Sequence, residues 1–167
     1  MLIVRSVGPS VASADATLKL PFEQRQKARL RTTVETGEEI GLFLPRGTVL
    51  RDGDCLLADD GRVVRVIAAK ESLLEVHADD ARTLARAAYH LGNRHACVEI
   101  RSDGLRFPAD PVLAQLMHGL GLDVQHVEAP FDPEPGAYSA GAHAHAGNAR
   151  HAGVIHDFLD RPRQHAD

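Results

Sequence analysis

Histidine is the residue type in this chain that most strongly suggests chemistry, because its ten copies are unevenly placed. His95 follows the run Tyr89-His90-Leu91-Gly92-Asn93-Arg94, where an amphipathic helix should end and a strand begin. A side chain at such a junction is fixed in direction yet open to solvent. We therefore interpret His95 as the metal-binding centre. The alternative is an ordinary surface or core histidine without a ligand role.

A second group of histidines lies near the end of the sequence, at His143, His145, His151, His156 and His165. Residues 139–153 are mostly Ala, Gly and His, and such a segment cannot bury enough apolar surface to order itself. We predict a flexible tail over residues 137–167 whose His143 and His145 close on an ion already held elsewhere. A composition-biased linker with inert histidines is the alternative.

Ligation by imidazole alone suits nickel, zinc, copper or cobalt. One fixed histidine per chain makes a weak site, but two chains paired about a two-fold axis near His95 would hold one ion between them. Few fixed and several mobile ligands allow the ion to leave by ligand exchange, unlike a closed structural zinc site. This pattern favours a homodimeric carrier. Because only neutral imidazole binds a metal, affinity should fall as the pH drops through about 6.5.

Catalytic motifs are missing from the sequence: there is no His-Glu-x-x-His helix, no Gly-x-Ser-x-Gly elbow and no phosphate loop, so we predict that the chain is not an enzyme. The two cysteines, Cys55 and Cys97, indicate neither a disulfide framework nor a thiolate zinc site. Cys97 would share a strand face with His95, but a buried core cysteine is the preferred interpretation. Four further histidines are not first-choice ligands: His77, His90, His118 and His126.

Charge and hydropathy exclude two classes of partner. The net charge is -4, and Lys and Arg are spread along the chain, so no basic surface for nucleic acid is predicted. The apolar run at the start is too short for a signal peptide, and no later stretch approaches the length of a membrane span. We expect a cytoplasmic protein that binds neither nucleic acid nor membrane.

The first half of the chain is β-rich. Strands are predicted at residues 2–7, 17–20 and 28–34, and turn signals separate further apolar runs at 40–44, 49–50, 55–57 and 63–67. Only Pro21 to Lys27 looks helical or irregular, and its charged run Gln24-Arg25-Gln26-Lys27 is interpreted as a solvated face. We assign residues 1–71 to a domain for peptide or partner contact.

The second half alternates strands with helices. We predict a strand at 73–76 and then a helix that is capped by Asp79 or Asp80 and closed at Gly92 by a left-handed cap. Strands are predicted next at 96–101 and 104–108. A second helix, capped by Asp110, and a strand at 123–127 follow. The order βαββαβ predicts a ferredoxin-like domain over residues 72–136 and makes the chain an α+β protein.

RNA-recognition domains share this order of elements and stack bases on aromatic side chains of their central strands. Here those strands carry Phe107 alone, and the whole chain has only five Phe and two Tyr. With the acidic balance, this argues against RNA binding.

Taken together, several segments resemble UreE, the family of urease accessory metallochaperones that carry nickel for assembly of the urease active site. The resemblance covers nearly the whole chain and is specific. It is carried by Glu23-Gln24-Arg25-Gln26-Lys27, Gly41-Leu42-Phe43-Leu44-Pro45-Arg46-Gly47, Leu50-Arg51-Asp52-Gly53-Asp54, Tyr89-His90-Leu91-Gly92-Asn93-Arg94-His95 and Pro130-Phe131 through Gly136-Ala137-Tyr138.

The resemblance implies a β-rich peptide-binding domain, a ferredoxin-like domain and a homodimer whose two copies of His95 bind Ni(II) as cargo, with Zn(II) or Cu(II) able to substitute. Tail ligands would be His143 and His145, with His151 as a further candidate. The urease maturation complex, including its GTPase, is the implied partner. Some relatives carry extra histidines just before the second helix, where this chain has Phe107-Pro108-Ala109-Asp110-Pro111. Others end in a dense histidine run, whereas this tail is sparse, so fewer ions per dimer are expected.

Two other functions compete with the carrier. One is a general peptide-binding co-chaperone with incidental histidines, which metal-independent binding of unfolded peptides would favour. The other is a metal-dependent hydrolase, which would require turnover that disappears on chelation and returns with added metal.

Overall fold

The computed structural model describes residues 1–135, which form two β-sheets and three helices. In chain order the elements are β1 (Leu2–Gly8), β2 (Ala16–Leu20), α1 (Phe22–Arg25), β3 (Arg29–Thr33), β4 (Glu39–Phe43), β5 (Cys55–Ala58), β6 (Val63–Ala68), β7 (Lys70–His77), α2 (Ala81–Gly92), β8 (Glu99–Ile100), β9 (Gly104–Pro108), α3 (Pro111–Gly119) and β10 (Val124–Pro130).

The first sheet has six strands in the order β2-β6-β5-β1-β4-β3 and contains both parallel and antiparallel pairs. Alternate side chains of its strands point to one face, where they form a continuous apolar core that includes Leu18, Ile40, Leu56 and Val66. The three predicted strands are confirmed to within one or two residues at each end, and three of the four further apolar runs also form strands. The apolar run at 49–50 forms no strand, although Leu50 is fully buried.

The second sheet has four strands in the order β10-β7-β9-β8, and every neighbouring pair is antiparallel. Buried residues of α2 and α3, Leu91 and Met117, pack in one cluster with Leu74 and Val76 of β7. Phe107 belongs to the same cluster and has no exposed surface, so it offers no platform for stacking a base. The predicted order of strands and helices is therefore observed.

The strand predicted at 96–101 is largely wrong, because only Glu99–Ile100 pair with β9. Residues 96–98 run between the end of α2 and this short edge strand without regular hydrogen bonding. Conversely, β7 and β10 are longer than predicted and pair along seven residues each, from Val124 opposite Val76 to Pro130 opposite Lys70. Sheet pairing, not the local apolar pattern, sets these lengths.

Both helices of the second half begin at aspartate caps. Asp80 accepts a bond of 2.9 Å from the Thr83 N–H, and Asp110 accepts from Val112 and Leu113, with Pro111 in the first turn of α3. The Asp80 alternative for the first cap is thus confirmed. Because α2 ends at the turn that carries His95, the cap fixes the far end of the element that positions this histidine.

The Asp80 cap leads to a prediction about acid stability. The Asp80 carboxylate accepts hydrogen bonds from the side chain of Thr83 and from its backbone N–H, and these hold the pKa of Asp80 below its ordinary value. A lowered folded-state pKa stabilises the protein above the unfolded pKa, near 3.9, and that stabilisation is lost as the pH falls through the folded value. We expect Asp80→Ala to lower the thermal midpoint at pH 7 and the difference from wild type to shrink below about pH 4. Asp79→Ala is the matched control, and equal losses in both variants would contradict the capping role.

A third apolar cluster joins the first half of the chain to the second sheet. Phe22 of α1 and Leu73 of β7 pack with Phe131, which follows β10, and Val49 lies beside them. Leu73 points away from Leu74, so this cluster covers the face of the second sheet opposite its helices. Within residues 1–135, no helix combines the length and apolar character needed to cross a membrane.

Candidate metal centre

The turn that carries His95 closes α2 with two hydrogen bonds. The His95 N–H donates to the Gly92 carbonyl at 2.9 Å, and the Ala96 N–H donates to the Leu91 carbonyl at 3.2 Å. His95 itself has a φ of 55°, in the left-handed region. This pairing and the left-handed residue define a Schellman motif, in which His95 occupies the position usually held by glycine.

The predicted left-handed cap at Gly92 is therefore wrong. Gly92 is the last residue of α2, and it is not among the positive-φ glycines of residues 1–135. The motif is displaced by three residues because its apolar anchor is Ala96, which packs against the cluster that contains Leu91. Ala96 thus packs the turn against the core, while His95 stays exposed to solvent.

A left-handed backbone at a residue with a Cβ costs about 1–2 kcal/mol, because the Cβ approaches the following carbonyl. Residues held in such conformations cluster at functional sites, where the surrounding structure imposes them. His95 is the one non-glycine residue with positive φ among residues 1–135. It therefore presents an exposed side chain at a helix end that two hydrogen bonds hold in place.

One copy of the described chain does not assemble a full set of ligands. Along residues 1–135, no three His, Cys, Asp or Glu side chains lie close enough together to hold a metal ion. His95 would need further ligands from a second copy or from residues 136–167. His143, His145 and His151 lie outside the described residues, so their predicted role stays a prediction.

Cys97 is exposed, which contradicts its interpretation as a buried core residue. The physical reason is that Ala96 and Val98 pack against the core, so Cys97 between them faces solvent on the same side as the exposed His95. Cys97 therefore lies two residues from His95 with its sulfur open to solvent, and it is chemically available to a soft metal ion.

The other histidines of residues 1–135 differ in their surroundings. His118 and His126 are exposed and His90 is half-buried, its ring in edge contact with Tyr89 at 5.3 Å between centroids. His77 contacts two carboxylates, with Nε2 at 2.8 Å from Glu75 and Nδ1 at 3.4 Å from Asp103.

Glu75 links His77 to a charged network on the second sheet. Its carboxylate accepts from Arg106 Nε at 2.7 Å, and Arg106 also lies 3.5 Å from Glu99. Burial raises the pKa of Glu75, but hydrogen bonds from Arg106 and His77 outweigh it and hold the pKa below its usual value. Sequence analysis did not identify this pairing, although the placement of Glu75 and His77 two residues apart on one strand puts them on one face.

The prediction that Arg25 lies on a solvated face is wrong. Its run Gln24-Arg25-Gln26-Lys27 was interpreted as a solvated face, and Lys27 is indeed exposed, but Arg25 has no exposed surface. Arg25 donates to the backbone carbonyls of Leu50 and Phe131, and its guanidinium also lies 3.3 Å from Asp132. A fully buried cation needs such partners. They come from distant parts of the chain, so nothing in the local sequence pattern signals them.

Comparison with known proteins gives matches over both halves of the chain. The model of the UreE urease accessory protein N-terminal domain matches residues 6–69, and that of the C-terminal domain matches residues 71–160. A urease accessory protein UreE from Paraburkholderia xenovorans (strain LB400) is 55% identical over 139 residues, which is 83% of this chain and 61% of that protein. A urease accessory protein UreE from Alkalilimnicola ehrlichii is 54% identical over 138 residues, which is 83% of this chain and 85% of that protein.

These relatives are all named as accessory proteins, which confirms the prediction that the chain is not an enzyme. The chain spans less than two thirds of the Paraburkholderia protein, at 61% of its length. Both domain models and the identities above 50% nevertheless agree on one family. The chain belongs to the UreE urease accessory protein family.

Proposed function

We propose that this protein is a cytoplasmic, dimeric nickel metallochaperone that delivers Ni(II) for assembly of the urease active site. The observation that carries the proposal is the exposed His95, held in a left-handed turn at the end of α2. Residues 1–135 of one copy contain no cluster of three metal ligands. One ion bound between two copies of His95 would complete a site that a single copy leaves incomplete. The tail residues His143 and His145 supply further imidazoles.

Weak, shared ligation fits a cargo better than a resident metal. A structural zinc site surrounds its ion with four ligands from one chain, whereas a site completed by a second chain and by tail residues releases its ion by ligand exchange. Zn(II) and Cu(II) compete for the same imidazoles, since geometry and supply decide between them. In the segment before α3 the acidic side chain of Asp110 is occupied as a helix cap, which supports the absence of a second metal site there.

We assign residues 1–71 to the β-rich partner-binding domain, 72–136 to a ferredoxin-like domain and 137–167 to the histidine-bearing tail. The strand order β10-β7-β9-β8 with both helices packed in one cluster supports the ferredoxin-like assignment. The second domain would carry the metal and the dimer contact. Two of its exposed apolar side chains, Tyr89 and Ile100, lie on either side of the His95 turn in the sequence and are 65% and 59% exposed. The urease maturation complex with its GTPase is the proposed recipient.

A calorimetric nickel titration at neutral pH, with light scattering to count chains, tests the proposal. The wild type should bind one tight ion per two chains, and His95→Ala should lose that ion while keeping its fold. Unchanged binding in the variant, or one tight ion per chain in a monomer, would contradict the shared site.

A general peptide-binding co-chaperone is the second candidate. It is favoured by a groove of about 320 Å³ whose lining includes Arg29, Arg31 and Phe43. The Phe43 side chain is 42% exposed. Binding of unfolded peptides that is equally strong without nickel and in His95→Ala would support this alternative and leave the histidines incidental.

A further inference from the structure

The backbone just after His95 is weakly attached to the second sheet. Before His95, the two bonds of the Schellman motif hold the end of α2. After it, residues 96–98 belong to no strand, and β8 pairs with β9 over two residues. The side chains of Ala96 and Val98 pack against the core, but the sheet ladder does not include their backbone. A further attachment is needed to fix the path of this stretch.

That attachment comes from the residues that follow β10. Residues 131–134 leave β10 at one edge of the second sheet and reach β8 at the other edge, and we call them the crossing segment. The Glu134 N–H donates to the Val98 carbonyl at 2.8 Å. The Asp132 N–H donates to the Glu99 carboxylate at 3.1 Å. The crossing segment therefore fixes the chain just after the histidine turn, where the sheet does not.

The first half of the chain holds the crossing segment in place. Arg25 donates to the Phe131 carbonyl, and its guanidinium lies 3.3 Å from Asp132. Arg51 donates to the Asp132 carboxylate at 2.8 Å and to the Pro133 carbonyl at 2.7 Å. The Phe131 side chain is buried in the third apolar cluster. The crossing segment cannot shift without breaking these contacts.

The left-handed conformation of His95 depends on constraints of this kind. A φ of 55° is unfavourable for a residue with a Cβ, and such a conformation persists where the surrounding structure imposes it. The Schellman bonds constrain the backbone before His95, and the crossing segment constrains the backbone after it. If the chain after His95 were released, the turn could relax to a right-handed conformation, and the imidazole would change direction.

We propose that Asp132 and Glu134 are positioning residues for metal binding. By holding the backbone that follows His95, they keep this histidine in its left-handed turn. The inference rests on the proposed function. Apparent affinity falls in proportion to the population of the conformation that binds. An unconstrained left-handed residue with a Cβ is disfavoured by a factor of about ten. Release should therefore weaken nickel binding at least about tenfold, because two copies of His95 share the ion.

The test compares two substitutions at one position in a nickel titration of the full chain. Glu134→Pro removes the N–H that binds the Val98 carbonyl, whereas Glu134→Ala keeps this N–H and removes only an exposed side chain. We expect Glu134→Pro to weaken nickel binding at least about tenfold and Glu134→Ala to bind nickel as the wild type does.

Asp132→Ala is a second variant, and it decides the test if Glu134→Pro does not fold. It removes the carboxylate that both arginines contact but leaves every backbone N–H, so nickel binding should weaken by a smaller factor. Asp59→Ala is its matched control, because this half-exposed aspartate pairs with Arg5 at 3.2 Å in the first half of the chain. Equal nickel affinity in the two aspartate variants would contradict the inference.

Hydrogen exchange of the metal-free proteins separates positioning from a general loss of structure. The Ala96 N–H donates to the Leu91 carbonyl in the Schellman motif, so it reports whether the turn opens. In Glu134→Pro this amide should exchange faster than in wild type, while the amides of β7 keep their wild-type rates. Glu134→Ala should match wild type in both regions.

Equal nickel affinity in Glu134→Pro and Glu134→Ala would overturn the inference. Weaker binding in Glu134→Pro would also overturn it if exchange at Ala96 stayed unchanged or rose equally throughout β7, since the effect would then not be one of positioning. His95→Ala in the same series reports on the proposed function. If His95→Ala keeps the tight ion, the proposed function fails. If it loses the ion and Glu134→Pro binds as wild type, this inference alone fails.

Discussion

Replacing His95 by glycine should make the metal-free protein more stable while removing its tight nickel site. Glycine adopts a φ of 55° without the Cβ contact that makes this conformation costly for histidine. We expect a gain of about 1 kcal/mol, equivalent to about 2–4 °C in the thermal midpoint of a chain of this size. His95→Ala keeps the Cβ and should show no such gain.

Saturating nickel should reverse this order of stabilities. A ligand that binds only the folded state stabilises it by about 2.7 kcal/mol at 100 times its dissociation constant, and only the wild type would benefit. Thermal denaturation of the three proteins with and without nickel measures both effects. A glycine variant less stable than wild type without metal would show that the turn does not strain His95. A variant still stabilised by nickel would place the ion elsewhere.

Arg25→Met should be among the most destabilising single changes in the chain. Methionine fills a similar volume but leaves the Leu50 and Phe131 carbonyls, both buried partners of Arg25, without their donor. Leaving a buried acceptor without its donor costs about 1–3 kcal/mol, and two carbonyls lose theirs while the half-exposed Asp132 keeps Arg51 as a partner, so we expect about 3 kcal/mol. Urea denaturation followed by circular dichroism measures the loss.

Lys27→Met is the matched control for Arg25→Met. Lys27 lies two residues along, is exposed and pairs with Glu23 at 3.0 Å, an i,i+4 surface pair of small value. Its removal should change the free energy of unfolding by less than about 0.5 kcal/mol. Equal losses in the two variants would contradict the view that Arg25 joins the two halves of the molecule.

Most helices and strands could be predicted from the sequence. Leu84 and Leu91 recur at helical spacing behind an aspartate cap, and Asp110-Pro111 starts the next helix as predicted. Alternation of apolar residues located the strands of the first sheet for the same reason: one face of each strand is buried. These features are determined by residues close in sequence, so a local pattern contains them.

The turn at His95 could be predicted from the sequence only in part. The sequence placed His95 at the end of a helix, but its apolar contact, Ala96, selects which residue turns left-handed, and Gly92 was the misleading local candidate. The inferred burial of Cys97 was also wrong, because its neighbours Ala96 and Val98 occupy the positions that face the core. Edge strands take their length from pairing, which the residues of the strand alone do not determine.

The charged contacts could not be predicted from the sequence for a different reason. Arg25 contacts Phe131 and Asp132 across more than a hundred residues of sequence. A local charge pattern cannot distinguish the buried Arg25 from the exposed Gln26 and Lys27 that follow it. The proposed site has the same character, since its ligands would come from a second copy and from residues outside those the structure describes.

The most direct test of the central claim is a crystal structure of the nickel-loaded protein with anomalous data at the nickel edge. The account predicts one strong nickel peak on a two-fold axis, within bonding distance of the imidazoles of two copies of His95. A peak bound to the sulfur of Cys97, or one held only by tail histidines away from His95, would contradict it.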